Sequence, residues 1–223
     1  MPSFQDGATA LPVPISLPAV NRWPADVEVW HVALDLDAES AAFCGFLAAD
    51  EVARMTRYAR PADRIRFATA RALLRAMLGE RLGCDPLQLA FTQGTYGRPS
   101  LAGHPGVSFN VSHSGARVLI ALSMQRTVGV DIEVDDAMLD WRALLDLVCA
   151  PEEARTILCA RAFYRCWTAK EALLKATGEG IGRGLKSIDL SSAWRPAALR
   201  VVHLDELAGY SGALAFGPPT PLA

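Results

Sequence analysis

Residues 128–133 have the sequence Val-Gly-Val-Asp-Ile-Glu, and the fold assignment depends on this segment. Apolar side chains occupy every second position, which is typical of a β-strand with one face in the core. Gly129, Asp131 and Glu133 then share the opposite face, and the two acidic Cα atoms lie about 6.6 Å apart. Carboxylates at this spacing can bind one hard cation such as Mg²⁺. Alternatively, they form the solvated outer face of the strand.

Helix and strand patterns flank this segment on both sides. Alternating or continuous apolar residues predict further strands at 27–34, 107–112, 118–122, 198–204 and 211–216. Helical spacing predicts helices over 64–82 and 163–177, which end at Gly83 and Gly178. The chain is therefore predicted to have mixed α and β structure.

The length of 223 residues allows either one large domain or two domains of roughly 110 residues each. Turn residues at 95–99 and a new run of strands from Gly106 place the predicted seam between them. We predict an N-terminal arm at 1–26, a first half at 27–105, a second half at 106–216 and a tail at 217–223. Strands precede helices in both halves, which suggests duplication.

Composition excludes several classes of protein. The net charge is -2, so no overall field favours nucleic acid or an anionic membrane. Residues 1–20 have no basic region and are broken by prolines, so neither a signal peptide nor a membrane span is predicted, and the cytoplasm is expected. Five cysteines without C-x-x-C spacing and four histidines predict no zinc site.

Arginines are concentrated in the first predicted helix and just before it. Arg64, Arg71 and Arg75 fall within roughly 40° of one another around the helix axis and form a basic stripe. A solvated helix flank explains such a stripe. A phosphate site also explains it, because guanidinium groups match phosphate oxygens in geometry.

Two other segments carry polar groups that suit an anion or a metal. Residues 108–115 run from a strand into a tip with hydroxyls and an imidazole, which is either an anion site or a self-capped turn. One face of the second helix carries Trp167, Glu171 and Lys175. Glu171 and Lys175 either form a surface ion pair, or they supply a third carboxylate and a lysine that binds phosphate. Together with the acidic strand, these residues predict magnesium-assisted chemistry on a phosphorylated substrate.

Several common active sites are excluded. No G-x-S-x-G sequence surrounds the serines of 108–115, so a serine hydrolase is not predicted. The glycine-rich residues 178–187 follow a helix, and Leu185 stands directly before Lys186, so they form neither a P-loop nor a dinucleotide fingerprint.

Four motifs in order resemble those of the Sfp-type 4'-phosphopantetheinyl transferases. They are Gly97-Arg98-Pro99, the segment 109–114, the segment 129–133, and the segment 167–172 with Lys175 and 178–180. Residues 71–74 extend the resemblance into the first half, and Ile181 stands where leucine is common in the family.

This resemblance implies an enzyme that transfers the phosphopantetheine arm from coenzyme A to a serine of an apo acyl or peptidyl carrier protein. Adenosine 3',5'-bisphosphate would be released. The implied fold is α+β: a monomer of two similar α/β halves related by a pseudo-twofold axis, with coenzyme A in the cleft between them.

The resemblance also implies roles for individual residues. Asp131, Glu133 and Glu171 would hold Mg²⁺, Glu171 would accept the serine proton, and Lys175 would assist catalysis. Around coenzyme A, the adenine would lie near Arg98 and Pro99, and the rest of the nucleotide near Ser112 and Asp131. The phosphates would be bound by His113 and Lys175. The 3'-phosphate would be bound by Arg71, or by Arg54 or Arg64.

Two other functions remain open at this point. A magnesium-dependent phosphodiesterase or nucleotide pyrophosphatase would direct the same carboxylates at water and release free phosphopantetheine without a carrier. A catalytically silent coenzyme A or carrier-binding module would give no labelled carrier, although the retention of three acids argues against it.

Overall fold

Two antiparallel sheets pack against each other, and each is covered on its other side by a long helix. The structure, a computed structural model, describes residues 10–180, 184–191 and 198–219. In chain order, its strands and α-helices are β1 (Ile15–Ser16), β2 (Val27–Ala33), α1 (Ala49–Thr56), α2 (Pro61–Leu82), β3 (Phe91–Gln93), β4 (Pro99–Leu101), β5 (Ser108–Ser114), β6 (Arg117–Ser123), β7 (Arg126–Val134), α3 (Trp141–Val148), α4 (Pro151–Thr156), α5 (Ala160–Thr177), β8 (Arg200–Leu204) and β9 (Tyr210–Pro219).

The first sheet has the strand order β1-β2-β6-β5 and carries α2 on one face. Pro61 occupies the first turn of α2, where its missing N–H costs nothing, and Gly83 ends the helix at φ 65°. Leu73, Leu74 and Leu78 of this helix are buried against apolar residues of β2, β5 and β6. The small hairpin β3-β4 lies beside this layer, and it contains the turn predicted at 95–99.

The second sheet has the order β7-β9-β8 and is covered by α5. Small residues face each other at this contact: Ala172 and Ala176 on the helix, and Ala213 and Ala215 on β9. Because short side chains let backbones approach closely, α5 lies directly on the sheet. This contact brings the acidic strand and the second predicted helix together.

A third group of buried side chains fills the space between the two sheets. Leu119 and Ala121 of β6 meet Val128, Val130 and Ile132 of β7, and all five are 0% exposed. The predicted division of β7 into an apolar face and a face with Gly129 is therefore confirmed. The residues of the arm that the structure describes join this core, since Leu17 and Trp23 are each 5% exposed.

The predicted long elements are present, and the differences concern short ones. Strands β2, β5, β6, β7, β8 and β9 and helices α2 and α5 correspond to the predicted segments. Helices α1, α3 and α4 were not predicted, because six to eight residues are too few to show helical periodicity. The first three tail residues, 217–219, extend β9. Ile181 lies outside the described residues.

The change from one sheet to the other falls later than the predicted seam at 105. Strands β5 and β6 pair with β2, so residues 108–123 complete the first sheet, and β7 starts the second. This pairing is non-local, so composition and turn residues do not indicate it. The mixed α and β class is confirmed. Among the described helices, none has the length and apolar composition needed to cross a bilayer.

Candidate active site

Gly129 allows α5 to approach the acidic strand. A Cβ atom at this position would overlap the carbonyl oxygen of Ala172 and lie 2.5 Å from the amide nitrogen of Ala176. Only a residue without a side chain fits so close to a helix backbone. The close contact places Glu171 and Lys175 of α5 opposite the polar face of β7.

Asp131 lies at the centre of the resulting polar cluster. It is 3% exposed, which rules out the alternative of a solvated outer face for this residue. Its Oδ1 accepts hydrogen bonds from Lys175 Nζ at 2.6 Å and from Ser112 Oγ at 2.8 Å. Its Oδ2 is buried and has no hydrogen-bond partner among the residues that the structure describes.

The other two carboxylates of the cluster favour protonation more than usual. Burial raises the pKa of Glu133, and the charge of Asp131 raises it further, while a hydrogen bond from Ser114 opposes the rise. Burial and Asp131 likewise raise the pKa of Glu171, while Lys175 and a hydrogen bond from Trp167 oppose it. Three acids with only one neighbouring lysine therefore leave excess negative charge in a partly buried place.

All three acids line one cavity of about 280 Å³. Its remaining lining residues are Val111, Ser112, His113, Trp167 and Lys175. Glu171 therefore faces the same space as Asp131 and Glu133 and is not directed to the far side of its helix. His113 lies at the exposed rim, and the pKa of its imidazole is lowered by partial burial and by the nearby charges of Arg66 and Lys175.

A second cavity, of about 270 Å³, shares Val111, Glu171 and Lys175 with the first. The rest of its lining is Tyr96, Gly97, Arg98, Pro99, Asn110, Leu174, Gly178 and Gly180. The guanidinium group of Arg98 is committed to the protein: it donates to the carbonyl oxygens of Ala176 and Val128 and to Ser108 Oγ. Burial lowers its pKa. What Arg98 offers to a ligand is therefore the side of its aliphatic chain.

The predicted arginines of the first half are not among the residues that line either cavity. Arg64 donates to the carbonyl of Tyr58, and Arg54 lies over the ring of Phe67. Arg71 lies over a ring and 3.5 Å from Glu51, and one of its terminal nitrogens is buried without a hydrogen-bond partner. Burial lowers the pKa of Arg71.

Arg75, the third member of the predicted basic stripe, has a structural role. It is 3% exposed and donates to Glu51 at 2.7 Å and to the carbonyl oxygens of Pro86 and Leu89. The stripe is therefore partly a buried ion pair, which neither interpretation of the sequence anticipated.

The residues of the acidic cluster fit a divalent cation by their chemistry. Carboxylate oxygens are the ligands that Mg²⁺ prefers. The unpartnered Oδ2 of Asp131 and the raised pKa values of Glu133 and Glu171 are what a set of cation ligands shows when its positive charge is removed.

A different trio has the tightest metal-type geometry in the described part of the chain. One ligand atom each from Cys149, Glu153 and Cys166 lie within 4.8 Å of one another. The Glu153 carboxylate, however, already accepts from the buried ammonium of Lys170 and from the backbone N–H of Leu190 at 2.6 Å. Both oxygens of Glu153 are thus occupied, whereas Asp131 keeps one unpartnered oxygen, so we regard the trio as part of the core.

Comparison with known proteins identifies the family of this chain. A family model described as the 4'-phosphopantetheinyl transferase superfamily matches residues 127–211, and one described as the N-terminal part of 4'-phosphopantetheinyl transferase matches 35–125. The 4'-phosphopantetheinyl transferase HetI of Nostoc is 33% identical over 203 residues, which are 86% of this chain and 84% of that protein. The chain belongs to the 4'-phosphopantetheinyl transferase superfamily.

Other relatives of this phosphopantetheinyl transferase are consistent with that assignment. A putative 4'-phosphopantetheinyl transferase of Synechocystis, slr0495, is 41% identical over 64% of this chain and 61% of that protein. Sfp of Bacillus subtilis is 22% identical over 81% of this chain and 87% of that protein. The predicted resemblance and the predicted enzyme class, a transferase, are confirmed. The two family models meet at 125–127, where the chain passes from the first sheet to the second.

Proposed function

We propose that this enzyme transfers the 4'-phosphopantetheine arm of coenzyme A to a serine hydroxyl of an apo acyl or peptidyl carrier protein. Adenosine 3',5'-bisphosphate is the second product. The observation that carries the proposal is the convergence of three acids and Lys175 on one cavity in a chain of this family. The site residues predicted from the sequence keep their proposed roles within it.

Asp131, Glu133 and Glu171 would hold a magnesium ion. When bound, the ion would neutralise charge that develops on the pyrophosphate of coenzyme A. Asp131 supports this role with an oxygen that is buried and unpartnered, and Glu133 and Glu171 with carboxylates that border the same cavity.

Glu171 accepts the proton of the carrier serine, directly or through one water molecule. Glu171 borders the cavity that the carrier serine would enter, which supports this role. The indole of Trp167 interacts with Glu171 and opposes the rise in its pKa, and it lines the same cavity. Glu171 therefore both binds the ion and takes the proton.

Lys175 and His113 bind the phosphates. Lys175 reaches from α5 into the first cavity, where its ammonium contacts Asp131 and Ser112 Oγ at 3.0 Å. His113 presents an imidazole at the rim, and its lowered pKa keeps it neutral at pH 7, so that it donates one hydrogen bond without adding charge.

The second cavity accommodates the adenine end of coenzyme A. Pro99 and the aliphatic part of Arg98 provide an apolar wall. Gly178 lies against this part of Arg98, since a Cβ there would come within 3.1 Å of Arg98 Cδ. Arg71, with its unpartnered buried nitrogen, is our choice for the 3'-phosphate, and Arg54 and Arg64 are weaker candidates.

The proposal includes a monomer of two similar halves related by a pseudo-twofold axis. A repeated arrangement supports it: Glu51 caps α1 and pairs with the buried Arg75 of α2, and Glu153 caps α4 and pairs with the buried Lys170 of α5. We place the boundary between the halves at residues 124–125, where the chain changes sheets, so that the arm and 27–123 form the first half.

The test is to incubate the enzyme with coenzyme A, Mg²⁺ and several apo carriers and to weigh the carriers. We expect the added mass of the arm on at least one carrier. Asp131→Ala should abolish this mass change while the circular dichroism spectrum is unchanged, whereas Asp146→Asn, on a side chain that is 96% exposed, should have no effect.

Other outcomes separate the alternatives. Free phosphopantetheine formed without a carrier would favour a phosphodiesterase. Binding of coenzyme A with no product on any carrier would favour a silent module. Full activity of Asp131→Ala would refute the role of that carboxylate.

A further inference from the structure

Four polar side chains on β5 take the place of a backbone ladder between β5 and β7. They alternate along β5 and accept hydrogen bonds from β7 backbone N–H groups 20 positions later in the chain. The pairs are Val128 N to Ser108 Oγ at 3.0 Å, Val130 N to Asn110 Oδ1 at 2.9 Å, Ile132 N to Ser112 Oγ at 3.4 Å, and Val134 N to Ser114 Oγ at 3.1 Å. We call these four residues the β5 ladder.

The last two members of the β5 ladder also contact the acids. Ser112 Oγ donates to Asp131 Oδ1 at 2.8 Å, and Ser114 Oγ donates to Glu133 Oε2 at 2.8 Å. Each hydroxyl uses a lone pair for the N–H of one β7 residue, so its proton is free to donate to the carboxylate of the residue before it. The serine thus fixes the carboxylate relative to the strand that carries it.

We propose that Ser112 and Ser114 are positioning residues that hold Asp131 and Glu133 ready for the divalent ion. This inference rests on the proposed metal role of the two acids. Each serine binds one oxygen of its carboxylate and so determines where the other oxygen points; Asp131 Oδ2 is the clearest example, since it is buried without a partner. Fixing ligands before the ion binds reduces the entropy lost on binding.

Ser114 allows the sharper test, because Ser112 also contacts Lys175. Ser114→Ala removes one backbone acceptor and the donor to Glu133. Ser108→Ala is the matched control, because it removes a backbone acceptor of the same kind on the same strand. Within the part of the chain that the structure describes, Ser108 Oγ bonds to Val128 N and to Arg98 and to no acid. Ser114→Thr restores the hydroxyl.

The measurement is the binding of Mn²⁺, used as a probe for Mg²⁺, to the full chain without coenzyme A, by electron paramagnetic resonance titration. We expect Ser114→Ala to raise the dissociation constant about tenfold, the lower end of the effect of losing an outer-shell partner. Ser108→Ala and Ser114→Thr should bind as the wild type does. Thermal unfolding of each variant checks that Ser114→Ala and Ser108→Ala lose similar stability.

Three results would overturn the inference, and the third would also overturn the proposed metal role of the acids. Equal dissociation constants for Ser114→Ala and the wild type, or equal weakening in Ser114→Ala and Ser108→Ala, would leave the β5 ladder with a purely structural role. Failure of the wild type to bind Mn²⁺ would overturn the metal role too, whereas the carrier assay tests the transfer activity separately. If Ser114→Ala does not fold, Ser114→Cys, a weak donor of similar size, replaces it with the same expected direction.

Discussion

Glu153 shows how strongly one buried carboxylate can stabilise this fold. It is 6% exposed and is paired with Lys170, which is 0% exposed and also donates to the carbonyl of Val148 at 2.7 Å. The same carboxylate accepts the backbone N–H groups of Ala150 and Leu190. It therefore connects α4, α5 and the segment after α5.

We predict that Glu153→Ala lowers the free energy of unfolding by about 3–5 kcal/mol, because it leaves the Lys170 ammonium buried and unpaired. The adjacent Glu152→Ala is the control, since that side chain is 66% exposed and forms a surface ion pair with Arg155. Its effect should stay within about 0.5 kcal/mol. Urea titration of both variants measures the difference, and similar losses would contradict the prediction.

His203 on β8 predicts a dependence of stability on pH. Burial, and then the charge of Arg165, lower the pKa of this imidazole, while Asp205 opposes them. Below about pH 6.5 the unfolded chain therefore binds a proton that the folded protein does not, and the free energy of unfolding falls as the pH falls, by at most about 1.4 kcal/mol per pH unit. His203→Gln lacks this effect, so its stability relative to the wild type should rise on acidification. Denaturant titrations at several pH values test this, and a constant difference would contradict it.

At the scale of elements, the contact between β7 and α5 determines the geometry of the site. Gly129→Ala should push α5 away from β7 and carry Glu171 and Lys175 with it. We expect a loss of stability of about 1–3 kcal/mol from overpacking and a fall in transfer activity at temperatures where the variant is still folded. Gly106→Ala is the control, because its Cβ would meet only the Met124 carbonyl oxygen at 3.7 Å. Full activity of Gly129→Ala in the carrier mass assay would contradict this argument.

The sequence predicted β7 and α5 well because each has a clear period and a clear end. Alternation in 128–133 separated the core face from the acidic face, and spacing by four placed Glu171 and Lys175 together. The β5 segment was harder: its hydroxyls resembled anion donors, and the sequence did not indicate that Ser112 and Ser114 also bind the two acids of β7. Which strand lies beside which depends on pairing between distant segments, and the local periodicity of one segment does not identify its partner strand.

At the scale of the whole molecule, the two sheets share one core. The group around Leu119, Val130 and Leu214 takes residues from both sheets, and Trp23 of the arm packs into it. The ion pairs of Arg22 with Glu206 and of Arg126 with Asp26 tie the arm to segments of the second half. Length and turn residues predicted a seam near residue 105, whereas the pairing of β6 with β2 and of β5 with β6 puts residues 108–123 in the first sheet.

We therefore predict that the protein unfolds in one cooperative transition. Calorimetric and van't Hoff enthalpies of unfolding should agree. Trp23→Ala should lower the free energy of unfolding by about 3–5 kcal/mol, and so the melting temperature, while the protein still unfolds in a single transition. Differential scanning calorimetry tests this. Two resolved transitions in the wild type would show that the halves unfold independently.

The β5 ladder also affects how the protein behaves at high concentration. An outer strand with free amide groups is a template on which another polypeptide can add a strand, and this is a common start of aggregation. Four amides of β7 are already bound by side chains of the same molecule. This border is therefore protected from intermolecular strand addition, even though it lies next to the open cavity lined by the three acids.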